Sequence, residues 1–248
     1  LRVQALLEAS KQQLPQQSNP SLPLYTQTGA SIGHSKLVLD LGCGKGDFTL
    51  LLASAMPNIL VLGVDANAEA IAYAEARAAA AGLQNVRFRV ADATQLEERR
   101  VSADSAEKHG HGHGGDGEGD DPLKGWQAED GAALLVALHA CGGLSDVALR
   151  LAARCGASCL VCTCCFNKHR GLCSANRWTL QSEEEKSVLC RMADCVEPNI
   201  ASEARRVVSS LRLDALCREM RPDCTVHKAR IRTFPEAYSR QNVVLEGL

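Results

Sequence analysis

The stretch Leu37-Val38-Leu39-Asp40-Leu41-Gly42-Cys43-Gly44-Lys45-Gly46-Asp47 decides the fold. Five residues, apolar but for one acid, run into glycines at 42, 44 and 46, and a helix-forming segment follows. A short apolar run bounded by a glycine turn reads as a buried strand. A strand that feeds a helix through such a turn opens a βαβ unit and often cradles a nucleotide-like ligand.

Working outward, the same alternation continues. Asp47 to Met56 reads as a helix and Ile59 to Asp65 as the next strand. Asn67 is placed to cap a helix through the alanine-rich stretch to Ala81, which Gly82 ends. Val86 to Val90 alternates like a third strand, Ala132 to Leu138 is a fourth, Leu144 to Arg154 a helix and Ser158 to Cys164 a fifth strand. Helices are expected over Glu183–Val196 and Ala201–Met220, and a closing pair of strands over Val226–Phe234 and Asn242–Glu246. Strands separated by helices must be joined by parallel crossovers with helices on both faces. The expected fold is therefore α/β: a Rossmann-like, doubly wound, mostly parallel seven-stranded sheet with an antiparallel closing strand.

Two segments stand apart. Residues 1–35 combine a short helix candidate (Val3 to Ala9) with a Gln/Ser/Pro loop and read as an appendage or linker to a domain at 36–248. Residues 97–131 interrupt the alternation with a Gly/His-rich acidic tract that cannot bury enough apolar surface to offset its ordering entropy, and read as a disordered insertion. Its three histidines are more simply incidental than metal-binding. Between Glu97 and Asp130 there are 4 Lys/Arg against 10 Asp/Glu, so the net charge of −2 conceals a mild positive balance of +4 elsewhere. That balance permits a nucleic-acid partner without requiring one.

At 248 residues and 46% hydrophobic, the chain can bury one sizeable core, packed mainly by Ala, Leu and Val because only 4% is aromatic. Twelve cysteines, several crowded into one apolar run or placed on expected helices, read as reduced thiols of an intracellular, cytoplasmic protein rather than a disulfide framework. No spanning apolar run is visible, so no membrane partner is expected. A chain that begins at Leu1 leaves room for a targeting sequence before it.

The glycine loop admits two cofactor classes. The dinucleotide pattern G-x-G-x-x-G, started at Gly42, requires glycine at 47, where Asp47 stands. An acid at a helix N-terminus also opposes a pyrophosphate. S-adenosylmethionine carries no phosphate, and its ammonium, ribose and adenine suit a set of acids. Asp40 can anchor the ammonium, while Gly42, Gly44 and Gly46 let the backbone approach. Asp65 lies 23 residues after Gly42, near the ~20-residue spacing of a ribose-binding acid. Asp92, after the third strand, is placed for the adenine amino group. Asp65 alone, or Asp92 alone, could be a helix cap; three acids at successive strand ends are harder to explain that way.

Residues 37–94 resemble the first half of class I methyltransferases. The segment Val136-Ala137-Leu138-His139-Ala140-Cys141-Gly142-Gly143-Leu144-Ser145-Asp146 and the pair Cys164-Cys165 followed by Phe166-Asn167-Lys168 resemble one methyltransferase-domain family. That family includes the C-terminal domain of the glutathione S-transferase C-terminal domain-containing protein, and is related to methyltransferase-like and tRNA 2′-O-methyltransferase members. The tail Phe234 to Asn242 is similar to that glutathione S-transferase-like member. The resemblance implies methyl transfer from S-adenosylmethionine, with tRNA or rRNA as the acceptor. A catalytically silent scaffold and an NAD-dependent oxidoreductase are the rival readings.

On this reading His139, Cys164 and Cys165 face the reacting centre. His139 is either a base towards the acceptor or a structural residue of its turn. The cysteines can pack, position the acceptor or act as nucleophiles. The covalent case also lacks the proline that would precede Cys141, so packing and positioning are favoured. Cys162, His169 and Cys173 extend the pair into C-x-C-C-x₃-H-x₃-C, which is not a standard zinc pattern, and no metal ligand is assigned. Basic residues gather late in the chain, at Lys168, His169, Arg170, Arg177, Arg205, Arg206, Lys228, Arg230 and Arg232, and would track phosphates if several shared one face.

Overall fold

The computed structural model describes residues 37–96, 133–169, 178, 182–219, 229–235, 237, 239 and 241–247. The expected N-terminal appendage and acidic insertion lie outside these residues. Seven strands form one sheet: β1 (Leu37–Leu41), β2 (Leu60–Asp65), β3 (Val86–Val90), β4 (Ala133–Ala137), β5 (Ser158–Cys162), β6 (Ala229–Thr233) and β7 (Val243–Gly247). The described helices are α1 (Asp47–Ala55), α2 (Ala68–Ala80), α3 (Leu144–Arg154), α4 (Glu183–Ala193) and α5 (Pro198–Glu219).

The strand order is β3-β2-β1-β4-β5-β7-β6. β1 pairs parallel with β2 and β4, β2 with β3, and β4 with β5. β7 is antiparallel to both β5 and β6. The closing pair is antiparallel as expected, but β7, not β6, lies next to β5. The dinucleotide-binding order 3-2-1-4-5-6 thus continues here with an extra strand inserted before the last.

Period-two alternation sorts each strand between the two faces. Val38, Val61, Val86, Phe88, Leu134 and Val136 pack with Ala53 of α1 and with Ile71, Ala74 and Ala78 of α2. Leu39, Leu41, Leu135, Ala137, Cys159, Val161 and Leu245 pack on the other face with α3 and with Leu213 and Leu216 of α5. Asp40 shares the α1-side face with Val38, which brings its carboxylate beneath that helix. A separate cluster joins Phe166 and Trp178 to Leu189, Cys190 and Ala193 of α4 and to the outer side of α5.

The helix ends follow local chemistry. Asn67 accepts from the N–H groups of Glu69 and Ala70, and Ser182 from that of Glu185. The Asn85 amide donates to the carbonyls of Ala53, Met56 and Ile59, which ties the end of α1 to the entry of β3.

One buried ion pair crosses the second half of the fold. Arg212 of α5 donates through Nε to Asp146 at 2.9 Å, and both side chains are at most 3% exposed. Its other nitrogens reach Thr163 Oγ1 at 3.3 Å and the Gly142 carbonyl at 2.8 Å. The guanidinium also lies over the rings of Phe166 and Trp178, and Trp178 Nε1 donates to the second Asp146 oxygen. The arrangement satisfies most of the polar capacity that burial strips of water. Removing one partner leaves the other charged and desolvated, at a cost of about 3–5 kcal/mol. Arg212→Met should therefore lower the free energy of unfolding by about that amount in urea titrations, and Arg212→Met/Asp146→Asn should recover most of the loss. Equal stability of Arg212→Met and the parent chain would contradict this account.

Candidate active site

The glycine loop runs from the end of β1 to α1, at the carboxyl edge of the sheet. Gly42, Gly44 and Gly46 have φ of 76°, 54° and 78°. Gly42 and Cys43 donate to the Val64 carbonyl, so the loop folds over the end of β2. A Cβ on Gly46 would lie 2.9 Å from that of Ala74 and 3.1 Å from the Phe88 ring, so the loop, α2 and β3 meet there only because the side chain is absent. A Cβ on Gly44 would meet nothing within 4 Å. The backbone there borders open space.

Asp65 knits the loop to β2. Its Oδ2 accepts from Gly44 N at 2.9 Å and its Oδ1 from Asn67 N at 2.8 Å. A carboxylate has about four acceptor positions, so both oxygens keep capacity for a ligand. Asp92 follows β3 and is exposed. Its Oδ1 accepts from Thr94 N and Thr94 Oγ1, and these bonds hold its carboxyl below the ordinary range. Asp92 is thus a helix cap as well as an acid at a strand end.

Asp40 is 2% exposed, and Thr49 Oγ1 donates to its Oδ2 at 2.6 Å. Burial pushes its carboxyl up to about 6; the Thr49 bond opposes the shift and the Asp65 charge adds to it. Among the described residues Asp40 has no cationic partner. Asp47, by contrast, is exposed at the start of α1, where its Oδ1 is 2.6 Å from Arg77 Nη1. Arg77 also donates to the Lys45 carbonyl, and Lys45 and Arg77 both lie over Tyr73.

The other half of the site lies beyond β4 and β5. His139 is exposed in the turn after β4. Among the described residues no hydrogen bond joins it to either cysteine of the expected pair. β5 ends at Cys162, two residues earlier than expected, because the chain bends at Cys164 instead of extending. The bend is held from two sides. Asp194 accepts from Phe166 N and Asn167 N at 2.8–3.0 Å, and the Gly142 and Gly143 N–H groups donate to the carbonyls of Cys165 and Lys168. A Cβ on Gly142 would lie 1.7 Å from the Lys168 carbonyl oxygen, so only glycine fits at that crossing. The bend brings Cys164 Sγ to 2.7 Å from Cys141 Sγ and 3.8 Å from Cys165 Sγ. Burial raises all three thiols, Cys165 to about 11. They are protonated near neutrality and correspondingly weak nucleophiles.

The late basic residues do not share one face. Arg205 is buried and donates to the Ala193 carbonyl, whereas Arg206 is exposed. Arg232 pairs with the buried Glu246 across β6 and β7. Lys168 is exposed on the cysteine loop. Arg170, Arg177 and Lys228 lie outside the described residues.

Sequence reasoning missed the supports of this half: Asp146, Thr163, Asp194 and Arg212. A signal existed for Arg212. It falls in the helical stripe Ala201, Ala204, Arg205, Val208, Leu211, Arg212, Ala215, all buried, where a charge requires a partner.

Residues 33–109 match the family model described as a methyltransferase domain. The matched segment, about a third of the chain, holds Asp40, the glycine loop, Asp65 and Asp92. The tRNA (guanine-N(7)-)-methyltransferase of Chloroflexus aggregans is 39% identical over 66 residues, 27% of this chain. The chain spans about 30% of that relative's length. Similar solved structures include the S-adenosylmethionine-dependent methyltransferase SibL (16% identity, 89% of this chain and 52% of that one, TM-score 0.45). Another is an S-adenosylmethionine-dependent methyltransferase of Aquifex aeolicus (14% identity, 87% and 84%, TM-score 0.43).

Asp40 yields a prediction without any ligand. An acid whose folded pKa lies above its unfolded value is easier to ionise in the unfolded chain, so it costs stability as pH rises from about 4 to about 6. Asp40→Asn keeps an oxygen for Thr49 and removes that cost. Without ligand, the variant should match the parent below pH 4 and exceed it above pH 6 by up to about 3 kcal/mol in denaturation experiments. Stability curves that run parallel across this range would refute the assignment.

Proposed function

We propose that the protein is an S-adenosylmethionine-dependent methyltransferase whose acceptor is RNA, either tRNA or rRNA. The observation that carries the reading is the buried Asp40 carboxylate, without a cationic partner among the described residues, at the foot of a glycine loop whose backbone borders open space at Gly44. An ammonium placed there offsets the desolvation of Asp40. Asp65, already fixed by Gly44 and Asn67, is oriented for the ribose hydroxyls, and Asp92 accepts from the adenine amino group. Gly42, Gly44 and Gly46 give the methionine end its close approach to backbone.

The cofactor supplies an activated methyl group on a sulfonium. The chain's own task is then to hold the acceptor in line with that carbon and to take up a proton where the acceptor has one to lose. His139, exposed beyond β4, is the base or hydrogen-bond partner of the acceptor. Cys164 and Cys165 shape its binding place; their raised thiols argue against covalent attack. The RNA acceptor is supported by the tRNA chemistry named for the Chloroflexus relative and by the exposed Lys168 beside this place.

Calorimetric titration with S-adenosylhomocysteine tests the cofactor reading. Binding should weaken as pH falls below about 6, because protonated Asp40 no longer attracts the ammonium, and should drop at least tenfold in Asp40→Asn at pH 7.5. Binding of NAD in its place would favour the oxidoreductase. Transfer of labelled methyl from S-adenosylmethionine into total tRNA or rRNA, lost in Asp40→Asn, tests the acceptor. Cofactor binding without transfer to any RNA would leave the silent scaffold as the better reading.

A further inference from the structure

The three thiols beyond β4 and β5 have a geometry that packing alone does not require. Side chains of adjacent residues in an extended chain point to opposite sides. Cys164 and Cys165 instead bring their sulfurs to 3.8 Å, because Asp194 and the Gly142 turn impose the bend between β5 and Phe166. Cys141, from the turn after the neighbouring strand and 23 residues before Cys164, supplies the third sulfur. All three sulfurs lie within 4.8 Å of one another, and all three residues are half-buried. Spacing along the chain hides this set, since among the described residues Cys162 and His169 drop out of it and Cys141 joins it, while Cys173 lies outside the described residues.

We propose that Cys141, Cys164 and Cys165 form a three-thiolate site for a d¹⁰ metal ion, zinc(II) or copper(I), on the acceptor side of the molecule. Two thiolates at about 2.3 Å from a tetrahedral zinc lie about 3.8 Å apart. Cys164 and Cys165 already have that separation. Cys141 and Cys164, at 2.7 Å, need to part by about 1 Å, within reach of a small side-chain rotation. Thiolate ligands select these soft ions over magnesium or calcium. Three thiolates on zinc leave one negative charge, and Lys168 acts electrostatically on Cys141 and Cys165 to offset it. Three protein ligands leave a fourth position on zinc for water or an acceptor atom. The polypeptide around the site is fixed by the Arg212–Asp146 pair and the Asp194 clamp, which position the ligands before any ion arrives.

The test is metal retention, which is independent of methyl transfer. The full chain is reduced, stripped with a chelator, loaded separately with zinc(II) and, anaerobically, with copper(I), then desalted and measured by mass spectrometry of the metal. About one equivalent of one ion per chain is expected. Cys141→Ser, Cys164→Ser and Cys165→Ser should each reduce retention at least tenfold, with Cys217→Ser, on exposed α5 surface, unchanged. Circular dichroism identifies any variant that fails to fold. For such a variant, cobalt(II) loading of the parent chain replaces it: an intense thiolate-to-cobalt charge-transfer band is expected. Failure of the reduced parent chain to retain either ion, or equal retention by Cys141→Ser/Cys164→Ser/Cys165→Ser, overturns the proposal. Failure of S-adenosylhomocysteine binding leaves it untouched.

Discussion

The Arg212–Asp146 ion pair organises half of this molecule. It joins the long helix α5 to the first turn of α3, and through Thr163 and the Gly142 carbonyl it holds the ends of β5 and β4 at fixed positions. Phe166 and Trp178 close over the guanidinium and exclude water from it. A buried pair of this kind adds little net stability compared with an apolar replacement, but it tolerates few alternative arrangements. The loops that carry His139 and the cysteines are therefore set by a charge contact made outside the glycine loop. Among the described residues the first half has no equivalent buried ion pair. There Asp40 is buried with only a threonine for company, and the geometry is kept by backbone bonds from Gly42, Cys43 and Gly44.

The two halves thus face the problem of a buried acid differently. Asp146 is neutralised within the chain. Asp40 has no such partner among the described residues, and burial raises its carboxyl to about 6. Both acids are nearly fully buried, so burial alone could not have separated their roles. The partner, or its absence, does.

Much of the fold was legible because its signals are local. Leu37–Leu41, Leu60–Asp65 and Val86–Val90 announce themselves by apolar content and by the glycine or Asn67 that bounds them, and the structure shifts their limits by a residue at most. The places of Asp40, Asp65 and Asp92 at or near the ends of β1, β2 and β3 were legible because a strand end is a sequence position as well as a spatial one. The order of β6 and β7 was not legible: an antiparallel pair looks the same in sequence whichever member meets β5. Nor was the convergence of Cys141 with Cys164 and Cys165, which depends on a bend imposed by Asp194, 28 residues beyond Phe166. Contacts of that reach leave no periodic trace. Arg212 is the intermediate case, a charge whose place in an apolar stripe demands a partner without naming it.

The position of β7 has a consequence for how the chain is made. β1 pairs with β2, and β2 with β3, within one stretch of continuous sequence, with α1 and α2 supplied in passing, while the other edge of β1 waits for β4, where Ala133 pairs with Leu37. β5 waits until the end of the chain. Its outer neighbour is β7, and Cys159 pairs with Gly247, 88 residues later. Until then β5 presents an open edge, and the cysteine loop that continues from it has only one flank. Because β7 is the last of the described elements to be made, the edge of β5 and the thiol loop beyond it are the last parts of the sheet to be covered, and the aggregation-exposed step of folding belongs to them.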